Sequence, residues 1–248
     1  MAKTTSNQRP TKAERKEQAR RERAELQRKI ARSRRRRRIA GVLLLVVTVG
    51  LAVAWFLRPQ PVRATPGELF AAAPQARETA GCGPVENVGP YQPEGSDRGH
   101  VDAEATPPLS TYPSVPPASG PHNEITWGAG VYDSPPPIER VLHSLEHGAA
   151  VVWYAPDASG EELDRIREFY ADGVPASRVI VAPYDYPEQG AAGSLPGGNE
   201  MALVSWHRVQ TCASVNLAAA FGFTANHAAP PFGQRLYRGS APEAGSAF

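Results

Sequence analysis

The hydrophobic positions between residues 138 and 154 follow two different periods. From Ile138 to Leu145 they recur three and four residues apart, which predicts a helix with one side facing the core. Ala149–Tyr154 is an unbroken apolar run, typical of a buried strand. Gly148 lies between the two and favours the end of the helix. Asp133 or Ser134, followed by three prolines, is expected to cap its start.

The chain beyond residue 154 continues to alternate between the two patterns. We expect a helix at Glu161–Tyr170, strands at Arg178–Ala182 and Met201–Val209, and a closing helix at Cys212–Phe223. A strand, a helix and a strand in succession predict a right-handed crossover with parallel strands. The predicted fold class is therefore α+β, with a small mixed sheet in the order strand, helix, strand, strand, helix, and two or three layers.

Proline-rich segments surround this predicted core. Residues 100–132 contain six prolines, so we expect a long, stiff N-terminal wrap without regular structure. Residues 58–80, rich in Pro and Ala, are interpreted as a tether. This leaves residues 81–224 as the ordered domain and residues 225–248 as a flexible tail.

Residues 39–57 are 19 consecutive positions without a charged side chain. As a helix they would measure about 28 Å, close to the hydrocarbon thickness of a bilayer. We interpret them as an uncleaved transmembrane helix, because no cleavage site with small residues follows. Arg34–Arg38 directly precede the span, so the positive-inside rule predicts a single-pass cell-membrane protein with a cytoplasmic N-terminus. Residues 58–248 would then be extracytoplasmic.

Charge is distributed unevenly on the two sides of this apolar segment. Residues 1–38 hold 16 of the 27 Lys and Arg and 4 of the 25 acidic residues, a net charge of +12, whereas the remainder holds 11 and 21, a net charge of −10. We expect the basic segment to be solvated and partly disordered and to act as a topology signal. Residues 12–38 can also contact anionic inner-leaflet lipids. We expect no nucleic-acid partner, and the sequence identifies no protein partner.

The chain contains two cysteines, Cys82 and Cys212. Outside the membrane they most simply form one disulfide, which would close a loop worth roughly 5 kcal/mol in the chain-entropy model. A reactive thiol or a pair of metal ligands is the alternative. The lack of a CxxC motif argues against redox catalysis.

Histidines concentrate in the predicted helix and in the proline-rich wrap. His143, Glu146 and His147 lie on one helical turn, away from the apolar side, and two histidines at i and i+4 commonly bind a transition metal. The stiff wrap can hold His100 and His122 over this turn. We therefore predict a zinc or copper site formed by these five residues, because imidazole nitrogens suit these ions. The alternative is a set of surface histidines paired with helix carboxylates.

Several motifs of the chain resemble the bacterial, commonly membrane-anchored family catalogued as domain of unknown function 3105, found in actinobacteria. The matching residues cover roughly Cys82–Phe223, and they include His100-Val101, Tyr112, Pro116-Pro117-Ala118-Ser119-Gly120-Pro121-His122, Gly130-Val131-Tyr132, His143-Ser144-Leu145-Glu146-His147-Gly148 and Val181-Ala182-Pro183-Tyr184. The resemblance implies that His122 and the HSLEHG turn form one site. It implies no activity or cofactor. At position 207, where members often have a small residue, this chain has histidine, so no role is expected for it.

Two other functions fit the same residues. His143-x-x-Glu146-His147 matches the H-x-x-E-H pattern of metallohydrolases, with Glu146 as the catalytic residue and Glu188 or Glu200 as third ligand. The other function is a non-catalytic structural or partner-binding module of the envelope, in which histidines fasten the wrap to the helix. No nucleophile elbow, phosphate loop or dinucleotide motif is present in the sequence.

Overall fold

The structure is a computed structural model that describes residues 20–21, 27, 29, 40–41, 43–51, 64–93, 95–171, 178–229 and 237–247. Arg63–Phe248 form one compact unit, separate from Met1–Val62. The described α-helices of the larger unit are α1 (Pro66–Thr79), α2 (Ile138–Glu146), α3 (Glu161–Ala171) and α4 (Leu217–His227). Its described strands are β1 (Glu86–Asn87), β2 (Gly130–Val131), β3 (Ala150–Tyr154), β4 (Val179–Pro183), β5 (Met201–Ser205) and β6 (Arg208–Cys212).

The strands form one mixed sheet in the order β1-β6-β5-β3-β4-β2. β3 pairs in parallel with β4, with Ala150 opposite Val179, and antiparallel with β5, with Ala150 opposite Ser205. Because α3 connects β3 to β4, the predicted crossover with parallel strands is confirmed. The predicted combination of helices with one mixed sheet is confirmed as well, and the sheet has six described strands where three were predicted.

The two faces of the sheet are covered by different parts of the chain. Alternate residues of a strand point to opposite faces, so Val152 and Val151 of β3 enter different cores. One core is formed with α3 and α4, to which α1 adds Leu69. The other is formed with α2 and the proline-rich wrap, which adds Leu109 and Tyr112. The result is a three-layered domain with α2 and the wrap together on one side.

Helix α2 presents its apolar stripe to the sheet as predicted. Its four stripe residues are all buried: Ile138, Val141, Leu142 and Leu145. Gly148 follows the helix with φ of 93°, and a Cβ there would lie 2.4 Å from Cβ of Ala229. The expected N-terminal cap is wrong, because the cap position is Pro137 and Asp133 instead forms an ion pair with Arg167.

Two predicted elements in the C-terminal half differ from the structure. The expected strand Met201–Val209 is a hairpin, β5 and β6, whose turn contains His207 at φ of 58°. The closing helix begins at Leu217, five residues later than expected, because Cys212 still belongs to β6 and Asn216 caps the helix through the backbone N–H of Ala219. The helix therefore reaches His227, beyond the expected start of the tail.

The expected tether, residues 58–80, contains helix α1. Thr65 and Glu68 form a capping box in which each side chain accepts a hydrogen bond from the other's backbone N–H. Leu69 and Ala73 of this helix are buried, and Ala73 lies against Gly222 of α4. This part of the tether is thus an element of the folded unit.

Cys82 and Cys212 are bonded, with an S–S distance of 2.05 Å. Cys212 is buried in the core shared by α3 and α4, and the bond joins the end of α1 to the last strand. The expected disulfide is therefore present, and the structure describes no free cysteine.

No helix among the described residues is both long and apolar enough to cross a membrane. Of the predicted span 39–57, the structure describes residues 40–41 and 43–51, which are helical, and the other positions lie outside the described residues. The predicted basic segment 1–38 also lies almost entirely outside them.

Candidate metal centre

Four predicted ligands meet between helix α2 and the proline-rich wrap. His143 and Glu146 are one turn apart on α2. His100 and His122 come from two loop segments that are paired as a parallel β-bridge, in which Val101 N–H donates to the carbonyl of His122 at 2.8 Å. One ligand atom from each of these four residues lies within 4.8 Å of all the others. We call these four residues the histidine cluster.

The three rings of the histidine cluster form a nearly equilateral triangle. Ring centroids are 5.1 Å apart for His100 and His122, 4.8 Å for His100 and His143, and 5.0 Å for His122 and His143. His122, His143 and Glu146 are buried, whereas His100 is exposed. The proline-rich wrap thus covers the polar side of helix α2, opposite its apolar stripe. This covering explains why His143 and Glu146 are buried.

The tautomer of His122 follows from its surroundings. Its Nδ1 lies 2.7 Å from the carbonyl oxygen of Gly120, which can only accept, so Nδ1 carries the proton in the neutral ring. Nε2, the other ring nitrogen, lies 2.9 Å from Oε2 of Glu146. The contact does not have hydrogen-bond geometry, so Nε2 and Oε2 are not aimed at each other. A backbone bond at one nitrogen is how metal-binding histidines are commonly oriented.

Glu146 is held in its ionised form. Burial raises the pKa of its carboxyl group, but the His122 ring and the Arg98 guanidinium outweigh burial and hold the pKa at about 2. Arg98 donates from Nε to Oε1, which leaves Oε2 on the side of His122. The cluster therefore contains a buried carboxylate at neutral pH.

His143 is the most clearly unsatisfied member of the cluster. Its buried Nδ1 has no hydrogen-bond partner among the described residues. Burial, followed by the His122, His147 and His100 rings, lowers the pKa of His143 to about 4. The ring is therefore neutral at physiological pH, which is the form that binds a metal ion.

Asp97 fixes the two loop segments that carry His100 and His122. Its Oδ1 accepts hydrogen bonds from Ser119 Oγ and from the backbone N–H of Tyr91, both at 2.7 Å, and Oδ2 lies 2.8 Å from Nε2 of His207. Its backbone carbonyl accepts from Gly120 N–H at 3.0 Å. One residue thus connects the segment before His100 with the segment before His122.

Gly120 has no room for a side chain. Its φ is 126°, and a Cβ would lie 2.7 Å from the ring of Tyr112 and 3.0 Å from that of Tyr91. Tyr112 in turn donates from its hydroxyl to the carbonyl of Pro121 at 2.7 Å. The PPASGPH motif is therefore a tightly packed bend that positions His122 in the cluster.

His147 lies beside the cluster and faces a different partner. Its ring packs on that of His143 with centroids 4.5 Å apart. Its Nδ1 lies 2.6 Å from the carbonyl of Ala247, and its Nε2 lies 3.3 Å from Oε2 of Glu243. The cluster defined by the 4.8 Å limit does not include it. Of the five predicted ligands, the structure brings four together and places His147 at the edge.

Residues 241–247 form a C-terminal strap over the end of α2. Glu243 and Gly245 donate backbone hydrogen bonds to the carbonyls of Glu146 and His147, at 3.1 and 3.3 Å. Glu243 also accepts from Nη2 of Arg98 at 2.6 Å. The prediction of a flexible tail at residues 225–248 rests on composition alone, and these contacts show that residues 243–245 are held against α2.

The remaining candidates lie outside the cluster. The proposed third hydrolase ligands, Glu188 and Glu200, are not in the cluster found among the described residues. His207, which lies within the expected strand Met201–Val209, is a turn residue bonded to Asp97. His227, expected in the tail, is buried in α4, and burial lowers its pKa to about 4.

Sequence reasoning missed three supporting residues: Asp97, Arg98 and Glu243. The first two lie three and two positions before His100, and this proximity is the signal that was available. For Glu243 no local pattern existed, because its partners are Arg98 and His147.

A family model described as protein of unknown function (DUF3105) matches residues 105–240, which is more than half of the chain. No curated protein and no solved structure matches the chain. The matched range contains His122, His143 and Glu146, and His100 lies before it. The chain therefore belongs to the DUF3105 family.

Proposed function

We propose that the protein binds a transition-metal ion, zinc or copper, through the histidine cluster. The observation that carries this proposal is that ligand atoms from two loop segments and one helix lie within 4.8 Å of one another. Nitrogen ligands with one carboxylate suit zinc or copper, whereas calcium and magnesium prefer oxygen. His122, His143 and Glu146 would supply buried ligands and His100 an exposed one.

The electrostatics of His122 and Glu146 support a cation. Nε2 and the ionised Oε2 are stable 2.9 Å apart only with a positive charge beside them, and a metal ion supplies that charge as a proton on Nε2 does. In a tetrahedral zinc site with bonds of 2.0–2.2 Å, neighbouring ligand atoms are roughly 3.3 Å apart. The two atoms are already near that separation, and they are not aimed at each other.

The proposal includes a membrane anchor at residues 39–57, with the metal-binding unit outside the cytoplasm. It is supported by the uncharged run, by the five arginines before it and by the described residues 43–51, which are helical and expose leucine and valine side chains. Extraction of membranes at alkaline pH tests the anchor. The full-length protein should stay with the membrane, and a variant lacking residues 39–57 should be released.

Metal content of the full-length protein tests the main proposal. The protein, purified without a polyhistidine tag, should carry one zinc or copper ion per chain. At a free metal concentration near 1,000 times Kd, binding stabilises the fold by about 4 kcal/mol and raises Tm by roughly 10 °C. Absence of both stoichiometric metal and a chelator-sensitive Tm contradicts the proposal.

Variants separate metal binding from a structural role of the same histidines. His122→Ala and His143→Ala should lose the metal and the sensitivity of Tm to chelator, whereas His227→Ala, which removes another buried histidine, should keep both. The alternative is that the protein is a structural or partner-binding module of the envelope. In that case His122→Ala would lower Tm equally with and without chelator.

A further inference from the structure

The histidine cluster is buried on one side and open on the other. His122, His143 and Glu146 are inaccessible to solvent or nearly so, and each is fixed by its environment: a backbone hydrogen bond, burial on α2, and the Arg98 ion pair. His100 is exposed, and no side-chain hydrogen bond holds its ring among the described residues. The fourth ligand is therefore the one that lies on the solvent side of the cluster.

The spacing of the ligand atoms is wider than in a closed tetrahedral site. They lie within 4.8 Å of one another, compared with roughly 3.3 Å between neighbouring ligands of a tetrahedral zinc ion. Closed structural sites use four protein ligands, whereas sites that bind a further molecule keep three and leave one position to water. Three fixed ligands and one exposed ring match the second arrangement.

Arg98 adds a partly exposed positive group at the carboxylate of Glu146. Its Nε and Nη2 bind the carboxylates of Glu146 and Glu243, while Nη1 has no partner among the described residues, and its side chain is 50% exposed. A divalent ion and Arg98 together carry three positive charges against two on these carboxylates. The net positive charge favours an anionic ligand.

We propose that the bound ion keeps one solvent-facing position, shared between His100 and a small carboxylate or oxyanion that binds beside Arg98. The inference rests on the proposed metal function and specifies what the metal binds. Arg98 acts as the counter-charge for the anion, and the buried trio holds the ion.

Visible absorption of the Co²⁺-loaded full-length protein tests this inference, because Co²⁺ replaces zinc and its spectrum reports its ligands. Titration with acetate should change the spectrum of the wild type saturably. His100→Ala should still bind Co²⁺ and should bind acetate about 10-fold more tightly, if His100 occupies the position most of the time. Arg98→Gln should weaken acetate binding, whereas Arg165→Gln, which removes a surface arginine of α3, should not.

Two results would contradict this inference but not the proposal that the protein binds a metal ion. In the first, Co²⁺ binds to the wild type and to His100→Ala, but acetate and phosphate leave both spectra unchanged. In the second, His100→Ala abolishes Co²⁺ binding while His227→Ala retains it, which makes His100 a permanent ligand. A wild-type protein that takes up no Co²⁺ contradicts the proposed function itself.

Discussion

The two faces of the sheet are built on different principles. The face covered by α3 and α4 is an apolar core crossed by the disulfide. The face covered by α2 and the wrap combines aliphatic and aromatic packing with a buried carboxylate and buried imidazoles. We refer to them as the apolar face and the cluster face.

The difference between the two faces separates residues that stabilise the fold from residues that form the candidate metal site. Burying unpaired polar atoms costs free energy, and Nδ1 of His143 is such an atom on the cluster face. The apolar face and the disulfide offset this cost. A change on the apolar face should therefore alter stability with little effect on metal binding, and a change in the wrap should alter both.

The largest expected effect is loss of the disulfide on the apolar face. Replacing Cys82 and Cys212 by Ala releases a loop with a sequence separation of 130, and removal of a native disulfide typically lowers the free energy of unfolding by roughly 2–5 kcal/mol. Urea unfolding measures this change. Metal content per folded chain should stay at the wild-type value, and a proportional loss of metal would contradict the division between the faces.

An intermediate effect is expected on the cluster face for Gly120→Ala. The added Cβ meets Tyr112 and Tyr91, and the positive φ is strained, so the loss should be about 1–3 kcal/mol. Because the Gly120 carbonyl orients His122, metal affinity should fall as well.

Gly198→Ala is the matched control for Gly120→Ala. Gly198 also has a positive φ, of 70°, but nothing lies within 4 Å of its Cβ position. Denaturation of Gly198→Ala should therefore show only the loss of stability caused by backbone strain. Metal titration should give the wild-type affinity. Equal effects of the two variants on affinity would contradict the role of the bend.

The smallest expected effect is a pH dependence of the metal-free protein. The pKa of His143 is lowered from 6.5 to about 4, so the unfolded chain binds a proton more readily than the folded chain. The corresponding stability is present above pH 6.5 and is lost as the pH falls towards 4. His143→Asn should reduce this slope in Tm measured against pH. His227, whose pKa is lowered in the same way, should account for part of what remains.

Local sequence patterns predicted the centre of the fold. The apolar stripe of α2 and the buried runs of β3 and β4 depend on residues close together in sequence, and their periods are unambiguous. The β5–β6 hairpin was missed because Trp206-His207 continues the alternation through a turn that lacks glycine. Helix α1 was missed because its alanines and prolines suggested a tether, although the Thr65-x-x-Glu68 capping box was visible.

The four of the five candidate ligands that the structure brings together could be named from the sequence, whereas the residues that support them could not. Spacing on α2 identified His143 and Glu146, and the stiffness of the wrap suggested His100 and His122. The supporting residues Arg98 and Asp97 have partners far along the chain: Glu243 lies 145 positions from Arg98, and His207 lies 110 positions from Asp97. No local period encodes contacts over such separations.

The strap places Ala247 within 2.6 Å of the His147 ring. Any polypeptide fused after residue 248 would therefore emerge next to the cluster. A run of six histidines at that position would add competing imidazoles near the cluster and change the measured metal stoichiometry. Purification through a handle placed elsewhere in the chain avoids this artefact.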